Sequence, residues 1–306
     1  MHQLRAPVSV QGRMITGGLT AAALFFALYV FFNLTVVGQS LENGWAWKYE
    51  VFDTVGYWLH QHDLPPIAHD RATIAVGTLL AIGIAAVSRD WRTVAWVAIA
   101  TPGAVLASEG FKMVFGRPLL IDSRDDAVSY PSGHAVIVLA VSAALIVVVP
   151  KGWARWVVPA LGVWMALATS AIVVIGNHRP SEIIGAALLT IAVFTLTGTV
   201  AHSSFLRLRM SSGTRHPVAT EAPSEDAAPR AWTLVGLVAL IAVAGIVAAW
   251  GALPWVTAID GATGAVASLL VLRVMSEVRL RIADIPQNRT VGVEQRASPA
   301  GETIRS

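Results

Sequence analysis

Two histidines in this sequence stand beside residues that could make one a nucleophile and the other an acid. His178 is followed four residues later by Glu182, and this separation is one helical turn, so the carboxylate can lie beside the imidazole. A carboxylate in that place fixes the tautomer of the ring and leaves its other nitrogen free for attack. His134 is then available as the general acid for a leaving alkoxide.

The residues around His134 are suited to holding an anion. Ser132 and Gly133 directly precede it, and small residues at the start of a helix let backbone N–H groups approach a negatively charged ligand, which the helix terminus also favours. Lys112 and Arg117 could neutralise the oxygens of a phosphate group. Together with the histidines, these residues predict a phosphate site.

Each of these residues also has an ordinary structural explanation. Lys112 could extend its ammonium group from a helix end to the membrane interface. Ser132 and Gly133 could form only a turn, and Glu182 could be an acid that the helix dipole favours after Pro180 in a first turn. The two histidines could be interfacial side chains. It is the combination that favours a site.

The composition indicates that these residues lie in a membrane protein. Of 306 residues, 55% are hydrophobic and 13% charged, and the mean hydropathy is +0.62, which is too apolar for a soluble domain of this length. The net charge is only +3, and the arginines form no stripe that a nucleic acid could follow, so nucleic-acid binding is excluded. The absence of cysteine excludes disulfides and thiol nucleophiles.

Apolar runs suggest about eight transmembrane helices, since roughly 20 apolar residues span a bilayer. The runs cover residues 14–37, 72–87, 93–109, 135–149, 156–175, 183–200, 232–250 and 256–275. Helices are expected because they satisfy their own backbone hydrogen bonds where water is absent. The predicted fold is an all-α integral membrane protein, with a six-helix bundle in residues 1–201 and two further transmembrane helices in 231–282.

Basic residues recur in every second loop, which predicts that both termini are cytoplasmic. They are Arg5, Arg13, Arg89, Arg92, Lys151, Arg155, Arg207, Arg209, Arg215, Arg279 and Arg281. The loop 39–70 is acidic, as suits the opposite side. Lys112, Arg117, Arg124 and Arg179 break the pattern, because this topology places them outside. The prediction is a multi-pass protein of the cell membrane with an extracytoplasmic site.

Two segments depart from the membrane pattern. Residues 202–230 turn to Ser, Thr, Pro, Glu and Arg, which predicts a flexible cytoplasmic linker, and the tail 283–306 is expected to be disordered for the same reason. Within the last apolar run, Gly261 with Ala265 and Gly264 with Ser268 form small-residue faces. A partner or a second copy of the chain could pack there, giving a homo-oligomer.

The site residues resemble the three signature segments of the type 2 phosphatidic acid phosphatase superfamily. The second segment is intact as residues 131–134, Pro-Ser-Gly-His, and Lys112 with Arg117 and Pro118 resembles the first. In the third, His178 matches the family's nucleophile and Glu182 stands where an aspartate is usual. The resemblance covers about residues 72–200.

The resemblance implies a lipid phosphatase. His178 would attack phosphorus to form a phosphohistidine, His134 would protonate the lipid alcohol, and water would release phosphate. Phosphatidate and polyprenyl phosphates or diphosphates are the candidate substrates, and transfer to an acceptor other than water is a related possibility. No His-Glu-x-x-His or clustered-carboxylate pattern is present, so neither a metal nor another cofactor is expected.

Two arginines of the family pattern are missing. By spacing they should stand at Leu119 and Ile172, and the family uses them to hold the phosphate. Arg117, Arg124 or Arg179 could replace them. The alternative is a non-catalytic phospholipid-binding or scaffold protein that kept the fold and lost these arginines. Retention of both histidines beside a carboxylate favours the enzyme, because binding alone needs no nucleophile.

Overall fold

The computed structural model describes residues 10–46, 70–121, 130–174, 178–211 and 254–283. Within these ranges the chain forms eight helices and no strand, so the fold is all-α as predicted. The helices are α1 (Val10–Leu34), α2 (Val36–Ala46), α3 (Asp70–Val87), α4 (Trp91–Val114), α5 (Gly133–Val148), α6 (Lys151–Val174), α7 (Pro180–Ser211) and α8 (Pro254–Ala283).

Six helices of the described part are long and apolar enough to cross a membrane, namely α1, α3, α4, α6, α7 and α8. Large apolar side chains such as Leu19, Leu79 and Leu106 are exposed on their outer faces, where lipid would be the solvent. The chain is therefore a multi-pass membrane protein. The predicted run 232–250 lies outside the described residues.

Helix α5 forms the centre of the bundle. It packs against α3, α4, α6, α7 and α8, and most of its residues are buried. A helix that is apolar on all sides can be buried among other helices or face lipid. Here other helices surround it, and alanines such as Ala140 and Ala144 let them approach closely. This central helix is also the one that begins with the Ser-Gly-His segment.

The first apolar run ends earlier than its composition predicts. Helix α1 stops at Leu34, and a second helix, α2, occupies the start of the segment predicted as a loop. The break lies at Thr35, whose hydroxyl donates to the Phe31 carbonyl and accepts from the Gly38 N–H. Gly38 lies so close to that carbonyl that a side chain there would collide with it.

Helix α7 extends well beyond its apolar run, which was predicted to end at residue 200. Helix α7 continues to Ser211, ten residues past the predicted domain boundary at 201, because Leu, Arg and Met are good helix formers that prolong a helix into water. The change in composition marks the polar end of the helix. The rest of the predicted linker and nearly all of the tail, apart from Ala283, lie outside the described residues.

Helix α8, which was predicted as part of a separate pair of helices after the six-helix bundle, packs directly on that bundle. It contacts α5, α6 and α7. At Gly264 the backbone of α8 approaches α6 so closely that an added Cβ would lie 2.6 Å from the Ala166 carbonyl oxygen. Ala265 and Ser268 are also buried. The small residues predicted to bind a partner are thus covered by the same chain, and a homo-oligomer would need another face.

Candidate active site

The start of α7 fixes His178 and Glu182 against each other. Pro180 is the first residue of this helix and Glu182 lies in its first turn. The Glu182 Oε2 atom lies 2.8 Å from His178 Nδ1. Arg179 holds the same carboxylate twice, through its backbone N–H at 3.2 Å from Oε2 and through Nη1 at 3.2 Å from Oε1. The second ring nitrogen of His178, Nε2, is turned away from Glu182.

That nitrogen faces His134. The distance from His178 Nε2 to His134 Nδ1 is 3.3 Å, and the two rings are inclined at 61°. Ser132 brings the two segments together, because its backbone N–H donates to the Glu182 carbonyl at 3.2 Å. Its hydroxyl caps α5 by accepting from the Ala135 N–H. The two histidines predicted from the sequence therefore meet at one end of the bundle.

A second acid, Asp70, completes this arrangement, although the sequence did not single it out. Its Oδ2 lies 3.2 Å from His134 Nε2. Asp70 is the first residue of α3, so it reaches His134 from a different helix than His178 does. The available signal was its place before an apolar run on the membrane face predicted to hold the site.

Lys112 lies in the last turn of α4, beside the first turn of α5. A Cβ placed on Gly133 would be 3.1 Å from Lys112 Nζ and 3.0 Å from Glu109 Oε1. The missing side chain at Gly133 therefore gives the ammonium group room to approach the helix N-terminus. Lys112 also forms a 2.8 Å ion pair with Glu109. This contact was not predicted from the sequence.

The loop after α4, which carries Arg117, is anchored on both sides of this residue. The Tyr29 hydroxyl donates to the Gly116 carbonyl. On the other side, Gln39 of α2 donates to the Pro118 carbonyl at 2.7 Å and accepts from the Leu120 N–H at 3.2 Å. Helix α2, which was not predicted from the sequence, therefore helps to hold the loop that carries Arg117.

Helix α2 also brings a buried acid, Glu42, to the site. Its Oε1 accepts from the Ser181 N–H at 3.3 Å. Burial raises the pKa of Glu42 to about 7, although the Ser181 hydrogen bond and the charges of Arg179 and Arg117 oppose that shift. Both arginines that were expected to bind phosphate therefore act on carboxylates as well, Arg179 on Glu182 and both of them on Glu42.

The two positions of the missing family arginines have different surroundings. Leu119 is 59% exposed, and Ile172 is 2% exposed within the apolar core. Neither provides a charge to the site. Arg124 lies outside the described residues. Of the cations predicted to bind phosphate, Lys112, Arg117 and Arg179 lie at this end of the bundle.

An aromatic cluster supports the segment that leads into α5. Tyr130 is buried, its hydroxyl donates to the Phe25 carbonyl at 2.7 Å, and burial raises its pKa. Gly185 of α7 lies directly against this ring, where a Cβ would be 2.6 Å away. Below the cluster is an apolar cavity of about 300 Å³ between α1, α4 and α7, lined in part by Phe26, Phe111 and Leu189.

The described residues contain no group of three or more His, Asp or Glu side chains placed to hold a metal ion. A metal-independent reaction accordingly stays a prediction from the sequence. Compared with known proteins, the chain matches no protein-family model, no curated protein and no solved structure.

Proposed function

We propose that this protein is a lipid phosphate or diphosphate phosphatase of the type 2 phosphatidic acid phosphatase kind. The observation that carries the proposal is the orientation of His178. Its Nδ1 lies 2.8 Å from Glu182, and its Nε2 lies 3.3 Å from His134. A carboxylate on one ring nitrogen keeps the proton there, so the other nitrogen has a lone pair for attack and faces a second imidazole.

In this reaction the Nε2 lone pair of His178 attacks phosphorus while the bond between phosphorus and the lipid oxygen breaks. His134 gives a proton to that oxygen, and the alcohol leaves. Water then attacks the phosphohistidine, His134 takes a proton from the water, and phosphate departs as the P–N bond breaks. With a diphosphate, the leaving group is the lipid monophosphate.

The phosphate charge would be met by Lys112, the first turn of α5 and Arg117. Phosphoryl transfer spreads negative charge over the equatorial oxygens, and catalysis depends largely on positioned charges around them. The close approach of Lys112 to Gly133, with a would-be Cβ 3.1 Å from the ammonium nitrogen, supports this. Arg179 would act mainly through Glu182, to which its Nη1 is bound at 3.2 Å.

A lipid substrate is favoured over a soluble phosphate ester by the surroundings of the site. Three of the helices that carry it, α3, α4 and α7, are long and apolar enough to cross a membrane, and an apolar cavity of about 300 Å³ lies beside its aromatic support. The alternation of basic loops supports an extracytoplasmic site with both termini in the cytoplasm. A single cysteine placed near Arg124 should then react with an impermeant reagent from outside.

The second candidate is a non-catalytic phospholipid-binding or scaffold protein. It is favoured by Leu119 and Ile172, which bring no charge where the family has arginines. Both candidates predict binding of lipid phosphates, and only the first predicts turnover.

The deciding experiment measures phosphate release by purified protein from phosphatidate, a polyprenyl phosphate and a polyprenyl diphosphate. We expect release by the wild type and none by His178→Ala. His202→Ala is the matched control, because His202 lies in α7 22 residues after Pro180, roughly 33 Å along the helix from the end that carries the site. A wild-type protein that binds these lipids and releases no phosphate would establish the scaffold instead.

A further inference from the structure

Four side chains from three parts of the chain form one continuous series of polar contacts. Asp70 Oδ2 lies 3.2 Å from His134 Nε2, His134 Nδ1 lies 3.3 Å from His178 Nε2, and His178 Nδ1 lies 2.8 Å from Glu182 Oε2. Each of these contacts is a hydrogen bond only if one of its two atoms carries a proton. The protonation states can therefore be read along the series.

The direction of the series is set at Glu182. This carboxylate accepts from two groups of Arg179, which favours its ionised form, so it also accepts the proton on His178 Nδ1. The Nε2 atom of His178 is then a lone pair, and the contact with His134 requires a proton on His134 Nδ1. A neutral imidazole has only one N–H. Its Nε2 lone pair would then point at the Asp70 carboxylate.

We propose that Asp70 is a positioning residue that holds His134 as the imidazolium, so that the resting site pairs a charged acid with a neutral nucleophile. This inference rests on the proposed phosphatase function. With a proton on each ring nitrogen, His134 donates to His178 through Nδ1 and to Asp70 through Nε2, and every contact in the series is satisfied.

Burial and the charges around His134 act in opposite directions. Burial lowers the pKa of His134, and the charge of Asp70 is the largest influence that raises it. Asp70 faces it from α3, Glu109 and Lys112 face it from α4, and His178 faces it from the start of α7. Glu109 and Lys112 are paired with each other at 2.8 Å, so their charges largely cancel at the ring. His178 is neutral in the series. Asp70 is thus the charge that most favours the imidazolium form of His134 against the effect of burial.

Asp70 also explains how His134 can keep one hydrogen-bond partner while its ring turns during the reaction. A nucleophile and the atom it attacks stand about 3–3.5 Å apart before reaction, with the leaving oxygen beyond phosphorus. The 3.3 Å contact between the two rings must therefore open to admit the phosphate. Asp70 holds the opposite nitrogen of His134, so this ring can turn from His178 to the leaving oxygen while keeping one partner.

The test compares two substrates that differ in their need for an acid. A lipid monophosphate has an alkoxide leaving group that must be protonated, whereas p-nitrophenyl phosphate has a leaving group that departs without help. Asp70→Asn should lower kcat for the lipid on the order of 10²-fold and leave kcat for p-nitrophenyl phosphate nearly unchanged. KM should stay similar for both, because Asp70 does not touch the phosphate.

Three further comparisons separate this role from a structural one. Asp70→Glu should recover much of the lipid activity. In Asp70→Asn the fall of activity on the alkaline side should begin at a lower pH, since the imidazolium has lost its counter-ion. Glu277→Gln, which removes a carboxylate of α8 that pairs with Arg273 and Arg281, should change neither property. An equal loss of activity on both substrates in Asp70→Asn would overturn the inference.

A readout without turnover keeps the inference distinct from the proposed function. In protein with ¹⁵N-labelled histidine, the His134 signals, assigned with a His134→Gln variant, should show both ring nitrogens protonated at neutral pH. Asp70→Asn should convert them to the neutral form, with an unchanged melting temperature. A neutral His134 in the wild type refutes the inference even in an active enzyme. An imidazolium in a protein that releases no phosphate refutes only the phosphatase.

Discussion

The two histidine–carboxylate pairs of the site are built in different ways. His178 and Glu182, the local pair, lie four residues apart where α7 begins, His178 just before the helix and Glu182 in its first turn, and their side chains are 10% and 1% exposed. His134 and Asp70, the interhelical pair, come from two helices, and their side chains are 33% and 37% exposed. One pair is thus held by local geometry in a buried place, and the other by packing in a partly open one.

This difference suits the two roles proposed for these histidines in phosphoryl transfer. A nucleophile gains from a fixed tautomer and from exclusion of water, because hydrogen bonds are stronger where the local dielectric constant is low. An acid must give its proton to the substrate and recover one from water, which a partly exposed ring can do. The local pair is therefore expected to matter for both stability and activity, and the interhelical pair mainly for activity.

The largest effect is expected when the local pair is broken by Glu182→Gln. His178 would lose the acceptor that fixes its tautomer, and Arg179 would lose a buried ionic partner. Phosphate release should fall on the order of 10²-fold or more, because losing the carboxylate that fixes the tautomer of a catalytic histidine can cost as much as about 10⁴-fold, and the melting temperature should fall as well. By contrast, Asp70→Asn should lower activity at an unchanged melting temperature.

Glu182→Asp is the matched control for that experiment. It keeps the carboxylate and restores the residue usual in the family that the site resembles, so most of the activity should survive. Full activity in Glu182→Gln would mean that His178 needs no carboxylate, and the distinction between the two pairs would have no functional content.

The next effect concerns the cations that would replace the missing arginines. Arg117→Ala should lower phosphate release on the order of 10²-fold or more, because Lys112 alone supplies little charge for the equatorial oxygens. Arg124→Ala should have a much smaller effect. Arg179→Ala should fall between them, and because its guanidinium lies on Glu182, it should also lower the melting temperature, as Glu182→Gln does.

These variants are compared in membranes with matched expression and insertion. Wild-type activity in Arg117→Ala would assign this arginine to structure, through Glu42 and the loop after α4, and would transfer the phosphate contact to Arg179 or Arg124.

The same comparison shows what the sequence could predict. The local pair follows from a spacing of one helical turn, and its contact is present in the structure. Seven of the eight apolar runs likewise correspond to the apolar helices of the described part, α1 and α3–α8. The remaining run, 232–250, lies outside the described residues. Asp70 and Glu42 could not be found in this way, because their contacts join helices that are far apart in sequence and depend on packing, which has no fixed spacing.

The presence of helix α2 also could not be predicted from composition. Helix α2 is short and has a mixed sequence, with Gln39, Glu42 and Asn43 buried between apolar residues, so it contains no apolar run long enough to span a membrane. Its polar side chains are satisfied in part by the loop after α4 and by the start of α7. A helix whose stability depends on such tertiary hydrogen bonds cannot be derived from hydropathy.

The smallest effect is expected behind the local pair, at Glu42. Burial raises its pKa to about 7 from an ordinary value of 4.5, so between these two pH values the folded protein binds a proton that the unfolded chain has lost. Stability then falls as the pH rises through this range and is fully present only below it. Glu42→Gln keeps an oxygen for the Ser181 N–H and carries no charge. It should therefore melt at a higher temperature than the wild type at pH 8 and at a similar one at pH 5.

Glu277→Gln is the control. It removes an acid of α8 away from the site, and its melting temperature should follow that of the wild type at both pH values. Parallel melting curves for Glu42→Gln and the wild type across this range would mean that Arg117 and Arg179 fully neutralise Glu42, and these two arginines would then have less charge to offer a phosphate.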